Sequence, residues 1–420
     1  MTHKKDIVIT GVGVVSPIGI GQAAFWASLC AGRSGVRRLS LFEAPDLIPF
    51  GGEVVDFDPK NYVRQRKSLK VMSRDIQLAY AAAHLACHEA GHHKHPIDPE
   101  RLGIVFGGDM IPCELHELVP AFRDCLVDGQ FVFNHWGHAA MTEIFPLWLL
   151  KYLPNMPACH IGIAQDARGP NNTLTLGDVS SLSAAAEAVR VLERGAADAM
   201  IVGGAGSRIQ PTMLFRGGIF ELSRRSDDPP GASRPFDATR DGMVNGEGAA
   251  AFMFEANEHA QARGAAVLAR VLGFATAFEP VINGQVLQGI SIRRAILGAL
   301  RNAGITPADV GCVVAHGLST IRDDQREASA IREVLGDVAV TVPKSYYGHL
   351  GAGSGAVDMV AGVLALKHRQ IPPTLNYRVP DPLCPVRIVH GRQQPLEQPI
   401  IMILSHTHYG QAVAVVLGAA

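Results

Sequence analysis

The sequence predicts an α/β protein in which helices pack against buried sheets, and three observations carry that expectation. Apolar runs of strand length alternate with longer amphipathic stretches from one end to the other. Helix patterns such as SSLSAAAEAVRVLERG and SIRRAILGALRNAG close on a glycine, the residue that tolerates the left-handed turn ending a helix. With 420 residues, 47% of them hydrophobic and 18% charged, the chain is long and apolar enough to bury a large core, and its length allows two or three domains.

The elements follow in order. DIVITGVGVVSPIG reads as a first strand and turn. Its lysine-preceded apolar run looks superficially like a leader, but Gly and Pro break it and no small-residue cleavage site follows. GVGVVSPIG also resembles a nucleotide-binding glycine loop, yet Ser16 stands where the final glycine belongs, so no dinucleotide is expected. DIQLAYAAAHLACHEAG is a helix and RLGIVFGG a strand. TLTLGDVSSLSAAAEAV then reads as a short strand, a sharp turn and a helix, with Asp178 at the turn. DAMIVGGAG, AAAFMFE, GCVVAHG, VAVTVPK, IIMILSH and AVAVVLG are further strands, and no low-complexity linker divides them. A weak internal echo links Gly177-Asp178, with Glu187 nine positions after the Asp, to Gly348-His349, with Asp358 nine after the His.

Composition excludes several functions. Thirty-eight basic against 39 acidic side chains leave a net charge of −1, which offers nothing to nucleic acid or an anionic membrane. No apolar stretch reaches membrane-spanning length. The 7 cysteines are odd in number and lack CxxC spacing, so reduced thiols in a cytoplasmic compartment are expected.

Polar residues at strand ends mark the candidate site, since α/β folds place their ligands there. His316 stands where GCVVAHG stops, followed by Asp324 and Glu327 on the next helix; Lys344 and His349 flank a tight turn; His406 and His408 sit between the last two strands. Each has a plainer reading: Asp178 as a helix N-cap, Lys344 as a surface lysine, His406 and His408 as a solvated hairpin tip.

Taken together, LPNMPACHIGIAQDARGPNNTLTLGD, RPFDATRDGMVNGEGAA, AHGLSTIRDDQREASAI, PKSYYGHLGAGSGAVD and IPPTLN resemble the β-ketoacyl-acyl-carrier-protein synthases over nearly the whole chain. The resemblance implies a duplicated thiolase-like fold, five layers αβαβα with two mixed sheets. Its halves would be residues 1–255, carrying Asp178, and 256–420, carrying His316, Lys344 and His349. It implies a homodimer, or a heterodimer with a Cys-bearing ketosynthase, and acyl carrier protein as partner. It implies no resident cofactor or metal, the substrate arm being carrier-protein phosphopantetheine. In such enzymes a helix-N-terminal cysteine accepts the acyl group, and two histidines stabilise the enolate left by decarboxylation of a malonyl thioester. By motif position His316 and His349 match the histidines, Lys344 the supporting lysine and Glu327 the following acid. Asp324 and Glu247 fall among the bracing residues with Asp237, Arg240 and Asp241. Thr320 matches a pantetheine-arm hydroxyl, and the backbone N–H groups of Asp178 and His408 match the oxyanion donors.

The departures decide the chemistry. Asp178 occupies the cysteine's position, and an Asp attacking a thioester gives an anhydride, which is uphill. Leu318 replaces a hydroxyl, and His408 replaces the gating phenylalanine. Four readings follow: a partner subunit like the chain-length factors; a malonyl-carrier-protein decarboxylase using the histidines alone; general-base chemistry by Asp178; or an Asp/His metal site. Against decarboxylation, two like charges about 4 Å apart cost about 4 kcal/mol at an effective dielectric of about 20.

Overall fold

The computed structural model describes residues 5–40, 50–216, 221–281 and 286–420. Ten strands form the frame: β1 Ile7–Ser16, β2 Leu102–Gly107, β3 Asn171–Leu174, β4 Ala199–Ser207, β5 Glu247–Ala256, β6 Ala269–Phe278, β7 Cys312–Val314, β8 Ala339–Thr341, β9 Ile400–His406 and β10 Gln411–Ala419. Six of the helices that pack on them position the site: α1 Arg74–Glu89, α2 Met156–Gln165, α3 Ser180–Glu193, α4 Ile290–Ala303, α5 Ile321–Leu335 and α6 Ser354–His368. The first five strands lie side by side as β3-β2-β4-β5-β1, and the second five as β8-β7-β9-β10-β6. The two orders are the same. So are the directions: β2 is parallel to β3 and β4, and β7 to β8 and β9, while the remaining neighbours run antiparallel. Pairing of β1 with β6 over three positions, Ile7↔Val271 to Ile9↔Ala269, joins the two mixed runs into one hydrogen-bonded path.

Side-chain alternation explains the layering. In β9, Ile401 and Ile403 face an inner core, while Met402 and Leu404 face an outer one. β4 does the same with Met200 and Val202 inward and Ala199 and Ile201 outward. Both faces of each run are therefore covered, as parallel strands require. The inner core contains α3 and α6, rich in small residues and almost wholly buried, between the two strand runs. Helices α1 and α2 cover one outer face, and α4 and α5 the other.

Close packing accounts for the early glycines. A Cβ on Gly11 or Gly13 would sit 2.2 or 1.9 Å from a carbonyl oxygen of α1, so these residues seat a helix on β1 and form no phosphate loop. The internal echo is real but shifted by three residues. Gly177 (φ 62°) and Gly351 (φ 58°) occupy equivalent turns before α3 and α6, which pairs Asp178 with Ala352 and not with His349. Strand β6 and helix α2 were not legible beforehand: β6 is half-exposed with Gly, Ala and Thr among its apolar residues, and α2 is a ten-residue helix behind a proline. Among the described residues no helix is long and apolar enough to cross a membrane.

Candidate active site

Four chain segments converge at the N-terminus of α3. The first is the turn Gly177–Val179, locked by Ser180, whose Oγ accepts from the Leu176 N–H at 2.8 Å and donates to the Gly177 carbonyl at 2.6 Å. This turn delivers Asp178, only 6% exposed, to the end of the helix. Arg208, one residue beyond β4, reaches its Oδ1 at 2.9 Å and lies 3.7 Å from Asp109.

The second segment is the loop after β7. Two carboxylates from α5 hold it: Glu327 accepts from the N–H groups of His316 (2.7 Å) and Gly317 (2.8 Å), and Asp324 from those of Leu318 (2.9 Å) and Ser319 (3.1 Å). His316 is thereby placed with Nε2 3.9 Å from Asp178 Oδ2. The third segment brings His349, fixed through its backbone to Val244 (2.7 Å) and Gly246 (2.9 Å); its Nε2 lies 3.0 Å from Asp178 Oδ1, off the direction a hydrogen bond needs. The fourth is the end of β9. Ser405 donates to the Asp178 carbonyl at 2.8 Å, and the His406 ring lies edge-on to His316 at 4.7 Å.

The electrostatics follow from burial and neighbours. Burial opposes the charge on Asp178, but His349 and the Arg208 guanidinium outweigh it and hold the carboxyl well below the usual range. Burial, reinforced by Lys344 and His406, holds His316 far below the ordinary imidazole value, and burial lowers His349 too, against the pull of Asp178. The site at neutral pH is therefore an Asp178–Arg208 ion pair beside two neutral imidazoles. Burial pushes Asp324 up to about 7 despite the Phe236 N–H and Arg240. Glu327 is held low because His406 and two backbone N–H groups overcome its burial.

The expected residues separate into those that meet and those that brace. Asp178, His316 and His349 come together. Lys344 is no surface lysine: it is 2% exposed, and its ammonium pairs with Asp358 on α6, whose other oxygen accepts from Tyr347 at 2.6 Å. It acts on His316 through space. Glu247 does not reach the histidines; it holds Arg74 (2.7 Å), the Ser207 hydroxyl (3.1 Å) and the Val54 N–H (3.1 Å), next door to Arg208. Thr320 stands at the N-cap position of α5 without capping it through its side chain, its hydroxyl donating to the Asp323 carboxylate at 2.9 Å. Asp237 accepts from the N–H groups of Arg378 (2.6 Å) and Val379 (2.7 Å), while Arg240 joins Asp381 at 2.7 Å. His408 is exposed on the final hairpin, as the plainer reading had it, but His406 is buried.

Sequence reasoning missed Arg208, Ser405 and the inward placement of His406. The available signal was a lone arginine directly after the buried strand AMIVGGAGS. A cavity of about 520 Å³ opens onto Asp178 and His349. Its lining carries four carboxylates, Asp109, Asp178, Glu221 and Asp323, against Arg208, with Met110, Met243 and Leu318 as apolar wall. A larger groove of about 830 Å³, along Pro307, Leu335 and Gln394, touches none of these residues.

Residues 4–260 match the N-terminal domain of β-ketoacyl synthases, and residues 268–378 match the C-terminal domain. The protein named 3-oxoacyl-[acyl-carrier-protein] synthase 2 from Synechocystis sp. is 34% identical over 403 residues, covering 94% of this chain and 93% of its own. The solved ishigamide ketosynthase/chain length factor superposes with a TM-score of 0.88 at 28% identity, covering 99% of this chain and 100% of that one. A type II polyketide acyl-carrier protein in complex with its ketosynthase gives 0.86 at 25%, covering 100% of both chains. The repeated strand order, the thiolase-like layering and these matches have one conclusion: the chain belongs to the β-ketoacyl synthase family.

Proposed function

We propose that this chain is a ketosynthase-family subunit of fatty acid or polyketide-type biosynthesis that does not itself carry the acyl chain, and that it works as the chain-length-factor-like partner of a Cys-bearing ketosynthase. One observation carries this reading: the residue at the position where the resemblance expects the nucleophile is a carboxylate bound to Arg208. A carboxylate so paired at a helix N-terminus is stabilised as the anion. Acylating it would form an anhydride and break that pair. In this reading residues 1–255 contribute Asp178, residues 256–420 contribute His316, Lys344 and His349, and the carrier protein's phosphopantetheine needs no further cofactor.

Two features support a partner. Strand β3 pairs only with β2 among the described strands, leaving a sheet edge open. The segment preceding it exposes large apolar side chains, among them Phe133 (73%), Met141 (86%) and Leu149 (57%). A second reading, decarboxylation of malonyl-carrier protein, has the two neutral imidazoles in its favour. The carboxylates around the cavity stand against it, because they repel an anionic malonyl group.

The test is mass spectrometry of malonyl-carrier protein incubated with the purified chain, alone and together with the Cys-bearing ketosynthase encoded nearest its gene. The expected result is a stable complex in which only the partner becomes acylated and only the pair elongates. Elongation by the chain alone, or conversion of malonyl- to acetyl-carrier protein that disappears in His316→Ala, would sink the partner reading in favour of an autonomous enzyme.

A further inference from the structure

We propose that Asp178, His316 and His349 form a binding site for one divalent transition-metal ion of the zinc or ferrous type. This goes beyond the partner role and does not depend on it.

Geometry is the first support. One ligand atom from each of the three residues can be chosen so that all lie within 4.8 Å of one another. An ion with bonds of about 2.1 Å holds tetrahedral ligand atoms about 3.4 Å apart. His349 Nε2 lies 3.0 Å from Oδ1 and His316 Nε2 3.9 Å from Oδ2, so a turn of the Asp178 carboxylate is needed to present one oxygen, Oδ2, to an ion shared with both rings.

The second support is independent of spacing. Nε2 of His316 and both ring nitrogens of His349 have no hydrogen-bond partner, although the two residues are 0% and 2% exposed. A buried polar atom left unpaired costs about 1–3 kcal/mol, and the two rings stand edge to face with centroids 5.8 Å apart, so a ligand between them relieves that cost. An ion between them satisfies one nitrogen of each ring. The other nitrogen of His316 is already placed, with Ser405 Oγ 3.5 Å from Nδ1, and the backbones of both histidines are anchored.

Charge is the third. Arg208 occupies Asp178 Oδ1 but is itself shared with Asp109, and Oδ2 on the His316 side remains for an ion. Lys344, the other nearby cation, is neutralised by Asp358. Along the cavity Asp323 is paired with Arg326 and Asp109 shares Arg208 with Asp178, and Glu221 adds a further carboxylate to the approach. Two imidazoles and one carboxylate suit zinc, ferrous iron, cobalt or nickel, whereas calcium and magnesium prefer oxygen ligands throughout. Three protein ligands leave at least one coordination position open to the cavity.

Cobalt(II) is the probe. Untagged protein, stripped with chelator, is titrated with Co2+ and followed by its visible d–d absorption, then back-titrated with Zn2+. The expected result is one Co2+ per chain, displaced by one Zn2+. Asp178→Ala and His316→Ala should weaken binding by more than the roughly 10–100-fold typical of losing an outer-shell partner. The double variant His88→Ala/His93→Ala, which removes the stacked histidine pair elsewhere on the chain, should bind normally. Unchanged binding in folded Asp178→Ala or His316→Ala, loss in the His88/His93 variant, or no spectral change in folded wild type would each overturn the site. Should the single variants fail to fold, X-ray absorption of the zinc-loaded wild type decides. Two imidazoles and a light-atom shell uphold the proposal, and any other imidazole count ends it.

Discussion

The turns Leu176–Ser180 and Leu350–Ser354 are the same device used twice, and only one of them faces the cavity. In both, a glycine with positive φ precedes the helix, and the serine hydroxyl accepts from the leucine N–H, at 2.8 Å in the first and 2.9 Å in the second. The first presents Asp178 to a cavity. The second presents Ala352 and then Gly353, against which β4 and β5 pack so closely that a Cβ would lie 2.8 Å from the Gly248 carbonyl. The turn is therefore a way of starting a buried helix, and chemistry depends on what stands at its next position. The second turn still serves the first: Gly351 leaves the room in which Arg208 and Asp109 sit, its missing Cβ being 2.8 and 2.9 Å from them.

The largest test sets the carboxylate of α6 against that of α3. Lys344→Met strands Asp358 in the core and should cost about 3–5 kcal/mol, read as a shift in the urea midpoint. Arg208→Met should cost clearly less, because Asp178 lines a cavity that water can enter. Equal losses would break the distinction. Next come the two glycines, where alanine incurs about 1–2 kcal/mol of left-handed strain. Gly177→Ala should show that strain alone, its nearest neighbour being Thr407 at 3.9 Å, while Gly351→Ala should lose more by displacing Arg208. Ser180→Ala and Ser354→Ala should each lose about 1 kcal/mol, and a large inequality between them would show that the turns are not equivalent.

The last test is read against pH and concerns Asp178 alone. Its folded-state carboxyl is held below the unfolded value, so the stability it supplies is complete above about pH 4 and is lost as pH falls through the folded value. Acid titrations of wild type and Asp178→Asn should run parallel above that point and converge below it. Parallel curves down to the lowest pH would show that His349 and Arg208 do not hold the charge.

Much of the fold was legible because its elements obey local rules. Eight apolar runs named as strands are strands, since period-two patterning and flanking glycines report burial directly. Strand β6 hid because its outward positions are only partly covered. At the site, Asp178, His316, Lys344 and His349 were visible as polar residues ending buried elements. Lys344, expected to support a histidine, acts on His316 through space, and its ion-pair partner, Asp358, fourteen residues on, was not legible, because an ion pair depends on where α6 lies and not on the spacing of motifs.

The sequence by itself determined the layered α/β class, the presence of a repeat though not its register, and an acid at the head of α3, because hydrophobic period and turn chemistry act over a few residues. Only the tertiary structure decided that Arg208 claims that acid, that His406 turns inward and Glu247 away, and that two imidazoles face Asp178 unpaired. Those outcomes depend on ångström distances between residues up to about two hundred positions apart, which only the packing of strand runs around α3 and α6 brings into contact.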